Sequence, residues 1–269
     1  MEIKQKYIPK NHKRLVKSSF IDYSDERGKS IIGALFFRVL GAIKSRLSYS
    51  SAEKYIRTNF PDVAKSQDVA RLDGGLTGQY QWIRLYEIAS LVKSLDIKSV
   101  CEFGSGGSTA MFSRLNLDKS VTLEQSEKWI KRTRELLPEN TNLELLRRDR
   151  LVVNYDGEPC TKYDLPDQFF EQSFDLIYID GPTAVAMTDE ERNLPILDDT
   201  KKTMPNIDVE MFFDKGVYPK AILVDARRAT VRRLCEKYEH KYDVFMRYYY
   251  KDKSDRSGEF LYHTVLLLK

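Results

Sequence analysis

Short apolar segments alternate with amphipathic segments from about residue 98 to the end of the sequence. Apolar segments of this kind, rich in Val, Ile, Leu and Tyr, predict buried strands, and the amphipathic segments between them predict helices. Strands that alternate with helices form a parallel sheet that is covered on both faces. Five such strands are predicted, in the segments KSVCEFG, KSVTLEQ, LELLRR, FDLIYIDG and AILVDA.

The last two apolar segments, YDVFMRYYY and LYHTVLLL, are separated by the polar stretch KDKSDRSGE and not by a helix. Two strands joined in this way predict an antiparallel hairpin. The predicted fold class is therefore α/β, an open, mostly parallel seven-stranded sheet with a terminal antiparallel hairpin. The stretch 182–219 is longer than a normal connection, and we expect it to recognise the substrate or to close over it.

The segments before residue 98 have helical periodicity, and they predict helices over Ser30–Leu47, Ala52–Asn59 and Gln79–Leu95. A chain of 269 residues is long enough for one sizeable core. We therefore divide the chain into a basic helical N-terminal extension, residues 1–75, and a sheet domain, residues 76–269.

The N-terminal extension is basic, since residues 1–50 hold eleven Lys and Arg against four Asp and Glu. A solvated basic segment is the simpler interpretation, and attraction to an acidic partner such as anionic lipid, nucleic acid or a glycan is the alternative. The apolar run Ile31–Ile43 contains Arg38 and is too short to cross a bilayer. Packing on the core, homodimer formation and docking on a membrane surface all stay open for Ser30–Leu47.

The three cysteines are widely spaced and form no CxxC motif, which predicts neither a disulfide framework nor a zinc site. The first residues contain no apolar core of a secretory signal. Both features indicate a cytoplasmic protein. Peripheral contact with the inner face of the membrane stays open for a chain with this apolar, basic-flanked helix.

The stretch EFGSGGST, Glu102–Thr109, follows the first predicted parallel strand and precedes a helix. A glycine turn at this point lets the backbone approach a ligand closely. No Lys-Ser/Thr pair follows the glycines, which excludes a phosphate-binding P-loop. Thr109 stands where a dinucleotide fingerprint needs its third glycine, which weakens the case for a nicotinamide or flavin cofactor.

The remaining pattern is Glu102-x-Gly104-x-Gly106, and here the sequence resembles the class I S-adenosylmethionine-dependent methyltransferases, which have a Rossmann-like sheet. The resemblance covers roughly residues 75–269. It implies that Glu102, Gly104, Ser105 and Gly106 hold the methionine portion of S-adenosylmethionine. A zwitterionic amino acid needs an acceptor for its ammonium group and donors for its carboxylate, and this turn supplies both kinds of group.

Further acidic residues follow the next two predicted strands. Glu124, with Gln125 beside it, ends the second strand, where the resemblance implies a carboxylate that accepts both ribose hydroxyls. Asp149 follows the third strand, where the family commonly has an acidic residue near the adenine amino group. We add Thr77 and Gln79 as candidate contacts to the cofactor carboxylate, with an ordinary turn and helix start as the alternative.

Two aspartates are the candidate catalytic residues. Asp180 ends the fourth strand in IYIDGP, and Asp225 ends the fifth strand in LVDARR. Carboxylates at neighbouring strand ends could bind a divalent metal that activates a hydroxyl, or Asp180 alone could act as a general base. The second site reads Asp225-Ala226 where metal-dependent relatives have Asp-Asn, so the base role is preferred. An N-cap for the following helix is a competing role for Asp225.

The sequence IDGP differs from the Asn/Asp-Pro-Pro-aromatic motif of many nitrogen methyltransferases, which disfavours a nucleic-acid substrate. The pattern as a whole is similar to methyltransferases of polysaccharide and glycan biosynthesis, which implies a small-molecule or glycan hydroxyl acceptor. Arg227, Arg228, Arg232 and Arg233 could contact an acidic acceptor, although a solvated helix face is the preferred interpretation for the last two. A nucleic-acid methyltransferase and a non-catalytic binding or membrane-docking module remain the alternatives.

Overall fold

The computed structural model describes residues 13–14, 47, 49–72, 80–184, 191, 203–225, 227–250 and 260–269. Within these residues, eight strands form the main sheet, in the order β1-β9-β10-β8-β7-β2-β3-β4, and β5 and β6 form a separate hairpin. The strands are β1 Lys13–Arg14, β2 Ser99–Phe103, β3 Lys119–Glu124, β4 Leu143–Arg147, β5 Arg150–Tyr155, β6 Glu158–Tyr163, β7 Leu176–Ile179, β8 Ala221–Asp225, β9 Tyr242–Tyr250 and β10 Phe260–Leu268.

The pairing directions place five carboxyl ends at one edge. β2 is parallel to β3 and β7, β3 is parallel to β4, and β7 is parallel to β8. β10 runs antiparallel to both β8 and β9. The seven predicted strands and their terminal antiparallel hairpin are therefore confirmed. The eighth strand, the two-residue β1, pairs with β9 in a region that the sequence predicted to be helical.

Helices cover both faces of the sheet. They are α1 Pro61–Leu72, α2 Tyr80–Ser94, α3 Gly107–Phe112, α4 Glu127–Arg134, α5 Asp208–Asp214 and α6 Arg228–Tyr238, with a short 3₁₀ helix at Asp167–Glu171 and further helical residues at 49–59. None of the described helices is long and apolar enough to span a bilayer.

Successive residues of each central strand enter different cores. Val100, Tyr178 and Leu223 pack in one core with side chains of α2, whereas Phe103 and Val224 pack in the other with side chains of α5 and α6. The central strands are mainly apolar because both of their faces are buried. This double burial explains why the sequence revealed these strands clearly.

The β5–β6 hairpin was not predicted, although the sequence carries a signal for it. Asp156 and Gly157 form its turn with φ of 54° and 84°. An Asp-Gly pair with positive φ at both positions is typical of two-residue hairpins. The helix α1 was also not predicted.

Arg233 of α6 attaches this hairpin to the domain. Its side chain is 7% exposed and donates to Glu158 at 2.7 Å, to Asp156 at 2.8 Å and to the buried Glu210 of α5. The prediction that Arg233 lines a solvated helix face is therefore wrong. A charged side chain is rarely this buried unless it is paired, and three carboxylates pair with this one.

The run Ser30–Leu47 lies outside the described residues except for Leu47. Packing on the core, a dimer contact and a membrane contact therefore stay predictions for this run. The division at residue 75 also stays a prediction, since residues 73–79 are outside the described part of the chain.

Candidate functional site

A cavity of about 830 Å³ opens at the carboxyl edge of the sheet, beyond the ends of β2, β3 and β7. Open α/β sheets bind their ligands at this edge, and the volume is within the range of about 300–1,000 Å³ that is usual for small-molecule sites. Its lining consists of Gln81, Arg84, Gly104, Ser105, Gly106, Gly107, Ser108, Glu124, Gln125, Ser126, Trp129, Arg150, Tyr163, Asp180, Gly181, Pro182, Thr183, Glu191 and Arg227.

Two glycines allow the loops after β2 and β7 to touch. Gly104 has a φ of 95°, and a Cβ there would lie 2.6 Å from the Gly181 nitrogen. A Cβ on Gly181 would lie 2.5 Å from the Tyr163 hydroxyl oxygen and 2.7 Å from the Gly104 Cα. Asp180 N donates to Phe103 O at 2.7 Å, which continues the β2–β7 pairing. This close contact of the two loops places Asp180 beside the glycine turn.

Glu124 braces the glycine turn from the neighbouring strand. Its Oε2 accepts from Ser105 N at 2.8 Å and from the Ser105 hydroxyl at 3.0 Å, and its Oε1 accepts from Ser126 N at 2.8 Å. A carboxylate offers about four acceptor positions, so these bonds leave about one for a ligand hydroxyl. The structure therefore brings Glu124, Ser105 and Gly106 together at the cavity, with Glu124 in a partly structural role.

Glu102 lies beneath the glycine turn and not on the cavity surface. Its side chain is fully buried, and its Oε2 accepts from the Thr122 hydroxyl at 2.7 Å. Burial raises the pKa of Glu102 to about 7, although hydroxyl groups of Ser108, Thr122 and Thr109 oppose the shift. Glu102 was predicted to hold the methionine portion of the cofactor together with the glycine turn, but the structure buries its side chain under that turn and does not place it in the cavity lining.

Asp149 does not line the cavity. Its side chain is 65% exposed and accepts from Arg147 Nη2 at 2.7 Å. The hydrogen bond and charge of Arg147 lower the pKa of the Asp149 carboxyl. The structure therefore leaves Asp149 outside the group formed by the glycine turn, Glu124 and Asp180.

A row of hydrogen bonds joins the two sides of the cavity. Gln125 Nε2 donates to the Thr183 hydroxyl at 2.7 Å, and Arg150 Nε donates to Thr183 O at 2.7 Å. Arg150 Nη1 also donates to Glu191 Oε1 at 2.8 Å, and both of these side chains are largely buried. Gln125 is thus at the cavity as predicted, and Glu191 brings the long stretch 182–219 to the same place.

Asp180 and Asp225 are joined by a cation from the protein itself. Arg84 Nη2 donates to Asp180 Oδ2 at 2.6 Å and also forms an ion pair with Asp225 Oδ2. Among the described residues there is no group of three or more His, Cys, Asp or Glu that could hold a metal ion. The donor set fits a guanidinium better than a divalent metal, because Arg84 already occupies the position between the two carboxylates.

The Asp225 side chain does not cap α6. The residue before that helix is Arg227, and no side chain forms a capping hydrogen bond there. Asp225 is instead directed towards α2, with its side chain 7% exposed. The competing N-cap role is therefore not seen.

Two buried polar atoms at the cavity have no hydrogen-bond partner among the described residues: the Tyr163 hydroxyl and Arg227 Nε. Both side chains contact the β7 loop. Arg227 Nη1 donates to Pro182 O at 2.6 Å and Nη2 donates to Asp180 O, while the Tyr163 hydroxyl faces Gly181. Buried polar atoms without a partner are uncommon, and at a cavity wall they indicate a place for a polar ligand.

No family model matches the sequence. Glucuronoxylan 4-O-methyltransferase 1 of Arabidopsis thaliana is 31% identical over 122 residues, which cover 37% of this chain and 43% of that protein. The chain therefore spans less than half the length of this curated relative.

Two solved structures are similar. The O-methyltransferase of Bacillus cereus in complex with SAH has a TM-score of 0.48 and 14% identity, covering 81% of this chain and 97% of that chain. A Klebsiella pneumoniae protein suggested to be an O-methyltransferase has a TM-score of 0.49 and 16% identity, covering 84% and 99%. Both TM-scores are below 0.5, so the fold assignment depends on the strand order.

That order is β4-β3-β2-β7-β8-β10-β9. Among these seven strands β10 runs opposite to the other six, and a glycine turn follows the central strand β2. The described strands therefore form an open, mostly parallel α/β sheet of the Rossmann-like type. This confirms the Rossmann-like fold that the resemblance implied.

Thr77 and Gln79, the other predicted cofactor contacts, lie outside the described residues. The sequence did not reveal Arg84, Trp129 or Tyr163 as cavity residues. A signal existed for Arg84, since it and Glu87 are charged residues that stand among apolar ones in the helix before the first central strand. The structure shows that both are buried.

Proposed function

We propose that this chain is an S-adenosylmethionine-dependent methyltransferase that methylates a hydroxyl oxygen of a sugar or polysaccharide. The observation that carries the proposal is the meeting of the glycine turn, Glu124 and Asp180 in one cavity at the carboxyl edge. A polysaccharide acceptor is further supported by the name of the relative, a glucuronoxylan 4-O-methyltransferase.

The residues at the cavity fit S-adenosylmethionine. Glu124 retains acceptor capacity for about one ribose hydroxyl. Ser126 and Trp129 line the cavity next to Glu124, and the half-exposed Trp129 indole offers an aromatic face on that side. The Tyr163 hydroxyl and Arg227 Nε, which have no hydrogen-bond partner in the described part of the chain, provide polar atoms beside the β7 loop. The cofactor would therefore lie along the glycine turn between Glu124 and the β7 loop.

Asp180 is the residue we assign as general base. Its side chain is 39% exposed, whereas that of Asp225 is 7% exposed, so Asp180 is the one that can reach an acceptor. S-adenosylmethionine supplies a methyl group on a sulfonium, and the bonding electron pair stays on sulfur when the acceptor oxygen takes that methyl group. Asp180 receives the hydroxyl proton, which makes the oxygen a better nucleophile.

Binding of the cofactor product is the first test. Calorimetry with S-adenosylhomocysteine should show one site per chain in the wild type. Glu124→Ala should weaken binding at least tenfold, because both the loop brace and the ribose acceptor are lost. Glu127→Ala is the matched control, since its exposed carboxylate belongs to the following helix and pairs with Arg147. Absence of binding in the wild type would contradict the proposal.

Methyl transfer is the second test. Radiolabelled S-adenosylmethionine should label a xylo-oligosaccharide mixture with and without glucuronic acid branches, and base-stable label at oxygen is the expected product. Asp180→Asn should lower kcat about 100-fold or more while the affinity for S-adenosylhomocysteine stays near that of the wild type. Unchanged turnover in Asp180→Asn would remove the base assignment.

A further inference from the structure

Arg84 is the centre of a buried group of polar side chains beside Asp180. Besides Asp180 and Asp225, its guanidinium contacts the Tyr178 hydroxyl through Nε at 2.9 Å and through Nη2 at 2.5 Å. Its Nη1 donates to Gln81 Oε1 at 3.2 Å. The Arg84 side chain is only 10% exposed. Contacts on all its nitrogens fix the orientation of this guanidinium.

We infer that Arg84 is a built-in cation that positions Asp180 as the base, in the place between two strand-end carboxylates that otherwise suits a divalent metal. The inference rests on the proposed function, because the base role of Asp180 belongs to it. Arg84 is a positioning residue: it acts through Asp180 and does not itself touch the acceptor.

The geometry separates the two oxygens of Asp180. Oδ2 is held by Arg84 at 2.6 Å, while Oδ1 lies 3.9 Å from Arg227 Nη2, which is beyond hydrogen-bond distance. A carboxylate held through one oxygen presents the other in a fixed direction, and a base must be within hydrogen-bond reach of the proton it removes. Arg84 therefore orients Oδ1 for the acceptor hydroxyl.

The charges of the group are paired. Arg84 faces both carboxylates, and Arg227 Nη2 forms a longer ion pair with Asp180 at 3.9 Å. Asp225 is the more buried of the two acids, and its pairing with Arg84 satisfies a carboxylate that would be costly to bury alone. Asp225 thus holds Arg84 on the buried side, while Asp180 lines the cavity.

The same contacts disfavour a divalent metal at this pair. A guanidinium stays protonated at all working pH values, and its nitrogens are at contact distance from both carboxylates. A metal ion at that position would have to displace Arg84 from Asp180, Asp225 and Tyr178 together. We therefore assign Arg84, and not a metal ion, as the cation that pairs with Asp180 and Asp225.

The test uses Arg84→Ala, with Arg57→Ala as a matched control. Arg57 also pairs with two carboxylates, Glu53 at 2.9 Å and Asp68 at 2.8 Å, but it lies at the surface. Arg84→Ala should lower kcat at least tenfold with KM for S-adenosylmethionine within about threefold, and guanidinium chloride at millimolar concentration should restore part of the loss. Arg57→Ala should do neither. Wild-type kcat in Arg84→Ala, or a loss without guanidinium rescue, would overturn the inference.

A second measurement covers the case in which Arg84→Ala does not fold or no acceptor is found. Binding of Mn²⁺ to the wild type and to Asp225→Asn is followed by water-proton relaxation. Equal relaxation for the two proteins supports the assignment of this pair to Arg84. Mn²⁺ binding that Asp225→Asn abolishes would overturn it. The Mn²⁺ measurement needs no turnover. Failure of the proposed function would be seen separately, as absence of S-adenosylhomocysteine binding or of methyl transfer.

Discussion

Substitution of Gly181 by alanine tests the contact between the β2 and β7 loops. The added Cβ would lie 2.5 Å from the Tyr163 hydroxyl oxygen and 2.7 Å from both Cα and N of Gly104. These distances are roughly 1 Å shorter than the ~3.5–4.0 Å at which non-bonded atoms attract each other. The Gly104 atoms belong to the backbone and cannot rotate away, so the loops must separate.

The expected cost follows from overpacking in a closed site. Such collisions cost about 1–3 kcal/mol, and the backbone contacts place Gly181→Ala near 3 kcal/mol. For a domain of this size that corresponds to a fall in Tm of about 6–12 °C. Urea unfolding at equilibrium measures the free energy directly, and calorimetry with S-adenosylhomocysteine should show weaker binding because the glycine turn moves.

A double-mutant cycle with Tyr163→Phe identifies the colliding atoms. Tyr163→Phe alone should be within about 1 kcal/mol of the wild type, because the hydroxyl it removes has no partner among the described residues. The double variant should recover only part of the stability that Gly181→Ala loses, since the collision with the Gly104 backbone remains. Gly216→Ala is a control for a substitution without collision: its φ is 74°, and a Cβ there meets no atom of the described residues within 4 Å. Gly181→Ala with wild-type stability and binding would refute the reasoning.

Two further predictions concern buried charges. The pKa of Glu102 is raised by burial from 4.5 to about 7, so the native state binds more protons than the unfolded state between these values, and the free energy of unfolding falls as pH rises through that range. In urea unfolding at about pH 5 and pH 7, the free energy of unfolding of Glu102→Gln should differ less between the two pH values than that of the wild type. An equal difference in the two proteins would contradict the prediction. Glu210→Gln breaks the buried pair with Arg233 and should cost about 3 kcal/mol in the same assay, whereas Asp167→Asn, which loses an exposed pair with Lys215, should cost far less.

The sheet could be predicted because its central strands are buried on both faces, which leaves continuous apolar runs in the sequence. The sequence also predicted a helix after Asp225, and α6 occupies that place over Arg228–Tyr238. The β5–β6 hairpin was missed since its strands are only half buried and their apolar character is weak. The Asp156-Gly157 pair was the stronger signal there.

The acidic strand ends could be predicted as a set, but their individual roles depend on packing. Glu102 lies near the end of β2 and Glu124 ends β3, yet Glu102 is enclosed beneath the glycine turn whereas Glu124 faces the cavity. Asp149 lies just after β4 and pairs with Arg147 instead. The partner of Asp180 and Asp225 comes from α2, more than ninety residues earlier, and no local pattern links such distant positions.

A crystal structure of the protein with S-adenosylhomocysteine tests the central claim most directly. The account predicts the ligand in the cavity along Gly104–Gly106, with a ribose hydroxyl on Glu124 and the sulfur on the side of Asp180. A ligand bound at another edge of the sheet, or one that contacts neither the glycine turn nor Glu124, would contradict it.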